Sequence, residues 1–136
     1  MLDPDAARAA VLDEHTPVVE GVLACADAVA DARELPITDG PGLADALETL
    51  LRRTDVLPAL PAVLATAVEA AGWTLSAQPV AAPPYVAVTS RGPILRATLD
   101  GGRLVVTVRA FEIVRDPLRY VRGPSDPAAA VEVDVR

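Results

Sequence analysis

The chain has 136 residues, enough for one ordinary domain with a single core, and it is 51% hydrophobic and 23% charged. This composition excludes a disordered chain, and the net charge of −7 argues against a general nucleic-acid-binding protein. The longest uncharged run, residues 70–90, contains Gly72, Pro79, Pro83 and Pro84, which argues against a membrane span.

The N-terminal sequence MLDPDAAR has acidic residues at once and no apolar segment, so it does not resemble a secretory signal. The single cysteine, Cys25, rules out an internal disulfide and fits a reducing compartment. We therefore expect a cytoplasmic protein in which Cys25 is a small buried side chain on a helix.

The first helix begins at Asp3-Pro4, where an N-cap acceptor precedes a proline at the first helical position. Thr16-Pro17 repeats this device, so either a second helix starts at Pro17 or one long helix kinks there. Apolar residues then recur at spacings of three and four, which predicts an amphipathic helix ending near Leu35-Pro36.

Residues 39–42, Asp-Gly-Pro-Gly, predict a turn and N-cap for another helix that ends at Arg52 or Arg53. A further helix is expected from about Asp55 or Pro58 to Ala71, with Gly72 as its C′ residue. The first half of the chain is therefore helical.

A β-hairpin is expected over residues 94–114, around the dipeptide Gly101-Gly102. With these glycines as the turn, Leu99 faces Leu104 and the paired residue numbers sum to 203. A second turn at Arg91-Gly92 gives a sum of 183 and joins residues 85–90 to the same hairpin. Both turns place apolar side chains on one face, which we expect to be covered by helices. The residues of this face are Val86, Val88, Leu95, Ala97, Leu99, Leu104, Val106 and Val108.

Two further strands are predicted from alternation, a first strand over residues 73–78, ended by Pro79, and a final edge strand over residues 131–135. The parity of apolar residues changes after Ala110, which predicts a β-bulge there or a partly covered outer face. Residues 116–130 are turn-rich and are expected to follow the surface. The whole chain, residues 1–136, is thus predicted to be one α+β domain: an N-terminal layer of three or four helices (1–72) packed on an antiparallel meander of four to five strands (73–136).

Catalytic and metal-binding sets are missing. The only histidine, His15, is ten residues from Cys25, about 15 Å along a helix, which is too far for a nucleophile and its base. Acidic pairs such as Asp27 and Asp31 are better explained as a polar helix face than as metal ligands. Residues 40–42 lack the preceding strand and the lysine of a phosphate loop. We therefore predict no catalytic residue, no metal site and no cofactor.

Charge is unevenly distributed along the chain. Residues 1–72 hold 4 Arg and 13 acidic residues, whereas residues 73–136 hold 8 Arg and 6 acidic residues, and there is no lysine. The predicted register places several arginines on the outer sheet face, where arginine side chains can hold a carboxylate, a phosphate or an acidic partner. The candidate surface consists of Arg91, Arg96, Arg109, Phe111 and Arg115.

Two functions compete for this surface. The first is a non-enzymatic interaction module that binds a protein partner or self-associates, favoured by the missing catalytic sets and by the outward positions predicted for Ile94, Val105 and Phe111. The alternative is a domain that binds a small anion or nucleotide through Arg91, Arg96 or Arg109. Nucleic acid is disfavoured because only Tyr85 and Phe111 could stack on bases.

The segment PPYVAVTSRGPILRATL, residues 83–99, and the hairpin after it resemble an uncharacterised family of small cytosolic proteins from halophilic archaea. The absence of lysine, the excess of Asp over Glu and the abundant Ala and Val fit the same resemblance, as does an acidic surface that stays soluble in salt. The resemblance covers about the last half of the chain. It implies no catalytic motif.

Overall fold

The computed structural model of the protein describes residues 2–100 and 102–136. Its helices are α1 (Pro4–Asp31), α2 (Gly40–Arg53), α3 (Leu60–Ala70), which follows a 3₁₀ turn (Leu57–Ala59), and the short α4 (Pro127–Ala130). Its strands are β1 (Val86–Thr89), β2 (Gly92–Leu99), β3 (Gly102–Val108), β4 (Phe111–Val114), β5 (Arg119–Arg122) and β6 (Val131–Val135). Helices followed by antiparallel strands confirm the predicted α+β class.

Side-chain caps start both long helices where the sequence predicts them. The Asp3 carboxylate accepts a hydrogen bond from Ala6 N at 3.0 Å, and the Asp39 carboxylate accepts one from Gly42 N at 3.0 Å. Each cap satisfies an amide that has no partner within its helix, and a proline in the first turn loses nothing by lacking one. The starts of α1 and α2 are therefore local properties of the sequence.

The chain kinks where the sequence predicts a break near Pro17, and two helical segments of α1 meet there. Backbone angles are non-helical at His15 (φ −129°, ψ 20°), two residues before the proline, and helical structure continues on both sides. Proline inside a helix removes one hydrogen bond and crowds the preceding turn, so the distortion lies just upstream of it. At this step His15 Nε2 lies 2.7 Å from Thr66 Oγ1, which joins the bend of α1 to α3.

The predicted strand at residues 73–78 is wrong, since no strand is formed there. Gly72 has a φ of +99° and donates to Glu69 O, while Trp73 N donates to Val68 O. This pair of bonds is the Schellman arrangement that closes a helix C-terminus, so the Trp73 amide belongs to the end of α3. The segment then crosses to β1 as an irregular strap, with Trp73 and Leu75 partly buried against the core.

The main sheet has the order β1-β2-β3-β6 and is antiparallel throughout. Its register differs by two residues from the predicted one at both turns: Leu95 pairs with Val86 and with Val106, so the sums are 181 and 201. Gly92 and Gly102 are the first residues of their strands and not turn residues, with φ of +137° and +140°. Gly101 of the predicted turn lies outside the described residues. Because side chains alternate with a period of two, a shift of two residues keeps every one on its predicted face.

The inner face of this sheet packs against α1 and α3, as predicted. The apolar row contributes Val86, Leu95, Ala97, Leu104, Val106 and Val108 to one buried cluster with residues of the helices, and Val88 and Leu99 pack at its margin. The predicted edge strand is confirmed as β6, which pairs with β3. A sheet with one face on helices leaves its other face for solvent or a partner.

The chain leaves the main sheet after Val108 and forms a separate two-stranded ribbon, β4-β5. No bulge within a continuing strand is needed, because β4 belongs to a different sheet. The segment predicted as an irregular tail therefore contains β5 and the short α4. Tyr120 on β5 bridges to Ile37 in the loop before α2, with Tyr120 N donating to Ile37 O at 2.8 Å. The ribbon is thus tied to the helical layer.

Candidate functional site

The outer face of the main sheet is the side that points away from α1 and α3. Strand pairing arranges its side chains in rows that cross the sheet, and in the central row Arg96, Val105 and Asp134 lie side by side on β2, β3 and β6. Tyr85 extends this row, since its carbonyl accepts a hydrogen bond from Arg96 N at 2.8 Å. The sequence thus builds a surface whose neighbours are set by register.

The middle of the outer face is apolar and its surroundings are charged. Val105 is only 4% exposed although it lies outside the main core cluster, so the side chains of the neighbouring strands cover it. Ile94, one row along, is half-buried. Arg96, Thr98, Arg103, Glu132 and Arg136 are exposed. The centre of the face is therefore apolar and covered by its own neighbours, and charged side chains surround it.

Charges of opposite sign occupy the two sides of the central row, although Arg136 lies at the end of the acidic strand. Arg96 and Arg103 lie on the central strands β2 and β3, whereas Glu132 and Asp134 lie on the edge strand β6. Asp134 has a loose contact of 3.8 Å with Arg136, whose side chain is 67% exposed. In the described part of the chain, the side chains of Arg96 and Arg103 form no salt bridge. Their guanidinium groups are thus available to an external carboxylate or phosphate.

Arg109 is already engaged within the protein. Its Nη2 lies 2.6 Å from Glu112 Oε1, and its Nη1 donates to Ala129 O at 3.5 Å. Its Nε is buried with no hydrogen-bond partner in the described structure. These contacts join the end of β3 to β4 and α4. The guanidinium of Arg109, predicted to hold an external anion on the outer face, pairs instead with the carboxylate of Glu112.

The expectation that Phe111 points outward is wrong. Its side chain is 0% exposed, and the guanidinium of Arg122 lies 5.8 Å from the centre of its ring. Arg122 also pairs with Asp27 of α1 at 2.6 Å. The reversal follows from the end of the main sheet at Arg109-Ala110, because a new sheet restarts the alternation of faces. Phe111 anchors the ribbon to the core.

Arg91 and Arg115 are exposed but lie at turns and not on the outer face. The carbonyl of Arg91 accepts hydrogen bonds from Ala110 N (2.7 Å) and Phe111 N (3.0 Å), which locks the β1-β2 turn against the start of β4. Arg115 lies in the turn between β4 and β5. Of the five predicted surface residues, only Arg96 is therefore on the outer face with its side chain exposed.

The acidic half of the face is what sequence reasoning missed. The alternation of Val131 and Val133 with Glu132 and Asp134 predicts the strand and its polar side. It does not indicate which strand β6 joins, and only its pairing with β3 brings Asp134 beside Val105 and Arg96. The predicted sum of 203 pairs Arg103 with Asp100, whereas the structure places Arg103 opposite Thr98.

Other groups that could carry chemistry are dispersed. Across residues 2–100 and 102–136, no three His, Cys, Asp or Glu side chains are placed to hold a metal ion. Cys25 is buried, with its Sγ 3.4 Å from Thr54 Oγ1, while His15 contacts Thr66. None of the helices in the described part of the chain combines the length and apolar character needed to cross a bilayer.

Comparison with known proteins places the whole fold in one family. A family whose description reads Domain of unknown function (DUF7988) matches residues 5–136, so the match includes the helices as well as the hairpin. No curated protein and no solved structure matches the chain significantly.

Proposed function

We propose that this chain, which belongs to the family described as Domain of unknown function (DUF7988), is a non-enzymatic module that self-associates through the outer face of its main sheet. The observation that carries the proposal is the charge arrangement of the central row of that face, with Arg96 on β2, Asp134 on β6 and Val105 between them. A surface with positive charge on one side of an apolar centre and negative charge on the other is complementary to a second copy of itself.

The symmetry can be specified. A two-fold axis parallel to β3 and passing above Val105 keeps the level along the strands and exchanges the two sides of the sheet. It brings the two Val105 positions to the axis and places Arg96 over Asp134 of the partner subunit, twice per dimer. Arg103, also on β3, faces Arg103 of the partner subunit, a repulsion that the two Arg96–Asp134 ion pairs have to exceed. Aligned packing of two sheets at about 10 Å leaves room for these side chains to meet.

The small size of the face sets the strength of the association. Four strands at about 4.8 Å spacing and five residues at about 3.4 Å give a footprint on the order of 19 by 17 Å. This is well below the roughly 800 Å² per partner of a standard interface. We therefore expect a reversible dimer. Its population should rise with protein concentration and should depend on the two Arg96–Asp134 ion pairs.

A charge-reversal cycle tests the proposal by sedimentation velocity over a range of concentrations. Arg96→Asp should weaken the dimer at least about five-fold by facing two carboxylates, and Asp134→Arg should do the same by facing two guanidinium groups. The double variant Arg96→Asp/Asp134→Arg should restore it. Arg91→Asp, exposed but off the face, is the matched control and should have no effect.

Salt supplies an independent readout. The Debye screening length falls from about 10 Å at 0.1 M salt to about 3 Å at 1 M salt. The wild-type dimer should therefore weaken as salt is added, whereas the dimers of the single variants should strengthen. A protein that stays monomeric at all concentrations would contradict the proposal. So would a dimer in which the double variant is as weak as the single ones.

A second candidate is a small-anion site on the same face. Arg96 and Arg103 flank Thr98, since Thr98 pairs with Arg103 and follows Arg96 by two residues, so two guanidinium groups and a hydroxyl are neighbours. This set replaces the predicted one that relied on Arg109. Thermal unfolding with inorganic phosphate or nucleotides distinguishes the two ideas: stabilisation that Arg103→Ala abolishes in a monomer favours the anion site.

A further inference from the structure

A groove of about 580 Å³ lies between the C-terminal part of α1 and the solvent side of α2. Its apolar lining includes Val29 and Leu50, and the remaining lining on this side is small, with Ala28, Ala32 and Ala46. The volume is within the roughly 300–1,000 Å³ of typical binding sites. The groove is on the helical layer, away from the outer face of the sheet.

Two arginines distinguish this groove from the rest of the helical part. Residues 1–72 contain only four arginines among 13 acidic residues. Arg8 donates to the carbonyl of Val131, and Arg52 pairs with Glu48 at 3.3 Å. The other two, Arg33 and Arg53, both line the groove. The two remaining arginines of this acidic half of the chain therefore lie at the same groove.

The positions of these cations define the length of the occupant. Arg33 Nη2 donates to Gly42 O at 2.8 Å, which holds its guanidinium at the first turn of α2, whereas Arg53 is in the last turn. Eleven residues of helix separate these turns, about 16 Å at 1.5 Å per residue. A single carboxylate or phosphate head group cannot reach both ends. An occupant with one anionic group near each end can.

We propose that the groove binds an amphipathic α-helix of a partner protein, about three turns long, with acidic residues about eleven positions apart at the two ends of an apolar stripe. Eleven positions are close to three full turns, so both acids share the face of the stripe. The alanines of the groove allow a second helix to approach to the usual 8–10 Å. Asp45, which also lines the groove, disfavours a third acid between the two.

The probe for this proposal is a fluorescein-labelled peptide of about 16 residues with a Leu/Ala stripe and two glutamates about eleven positions apart, titrated with the full chain by fluorescence anisotropy. Its matched control carries glutamine at both positions. Each exposed ion pair contributes about a two- to five-fold change in affinity, so the glutamine peptide should bind about 4- to 25-fold more weakly.

Protein variants assign the two ends. Arg33→Ala and Arg53→Ala should each weaken the glutamate peptide about two- to five-fold and leave the glutamine peptide unchanged. Arg52→Ala is the control for Arg53→Ala, since it removes the adjacent arginine that pairs with Glu48. Ala28→Leu should obstruct the groove, whereas Ala9→Leu on the same helix should not; both alanines are exposed, so both variants should fold.

Three results would overturn the proposal. The first is no binding of the glutamate peptide up to about 1 mM, the weak limit of specific recognition. The second is equal binding of the two peptides, or an equal loss with Arg52→Ala and Arg53→Ala. The third is displacement of the peptide by dodecanoate or anionic vesicles in an Arg53-dependent manner, which would assign the groove to an anionic lipid.

Discussion

Gly92 permits a close backbone approach at the end of the main sheet, and replacing it with alanine should destabilise the protein more than the same change at Gly72. Both glycines have positive φ, +137° and +99°. A Cβ at Gly72 would have no atom within 4 Å, whereas a Cβ at Gly92 would overlap the carbonyl oxygen of Val108 and lie 3.1 Å from Ala110 N. Gly72→Ala therefore measures conformational strain alone, and Gly92→Ala adds a steric clash with backbone.

The magnitudes follow from these two terms. Positive φ costs an alanine about 1–2 kcal/mol. Displacing the end of β3 to relieve the overlap adds about 1–3 kcal/mol, by analogy with overpacked cores. Urea unfolding followed by the fluorescence of Trp73, the only tryptophan, gives both free energies of unfolding. If Gly92→Ala costs no more than Gly72→Ala, the close approach of β2 to the β3-β4 junction is wrong.

Two further changes test the core and a helix start. Phe111→Ala should lower the free energy of unfolding by about 3–5 kcal/mol, as for other buried aromatic residues, while Ile113→Ala, two residues along and 37% exposed, should cost clearly less; similar small losses for both would contradict the burial of Phe111. Asp39→Ala should cost about 1 kcal/mol by removing the cap on Gly42 N, measured by thermal unfolding, whereas Asp39→Asn should retain most of it.

Local signals predict the faces of the sheet better than its pairing. The alternation of Leu95, Ala97, Leu104 and Val106 assigns these residues to the core whatever the turn. The exact partners depend on where the turn ends, and the positive φ that suggests a glycine turn is used instead at the first residue of each strand, Gly92 and Gly102. Parity survives this change because it involves an even number of residues.

The candidate surface is harder to predict because it combines strands that are distant in the sequence. Arg96 follows from the hairpin pattern, but its acidic counterpart Asp134 is 38 residues later and reaches it only through β3. Phe111 is mispredicted for a different reason. Its expected outward position assumes that the alternation of faces in the hairpin continues beyond Val108, which requires the same sheet to continue. The change of parity after Ala110 signals an irregularity at this point, but it does not distinguish a bulge from the start of a second sheet.

The sequence by itself determined the α+β class, the capped starts of α1 and α2, and the buried row of the sheet, because each depends on residues close together in the chain. Only the tertiary structure decided that β6 joins β3, that the chain turns into a second sheet after Arg109, and that Arg33 and Arg53 share one groove. These features depend on contacts between distant segments, whose free energies no local pattern encodes.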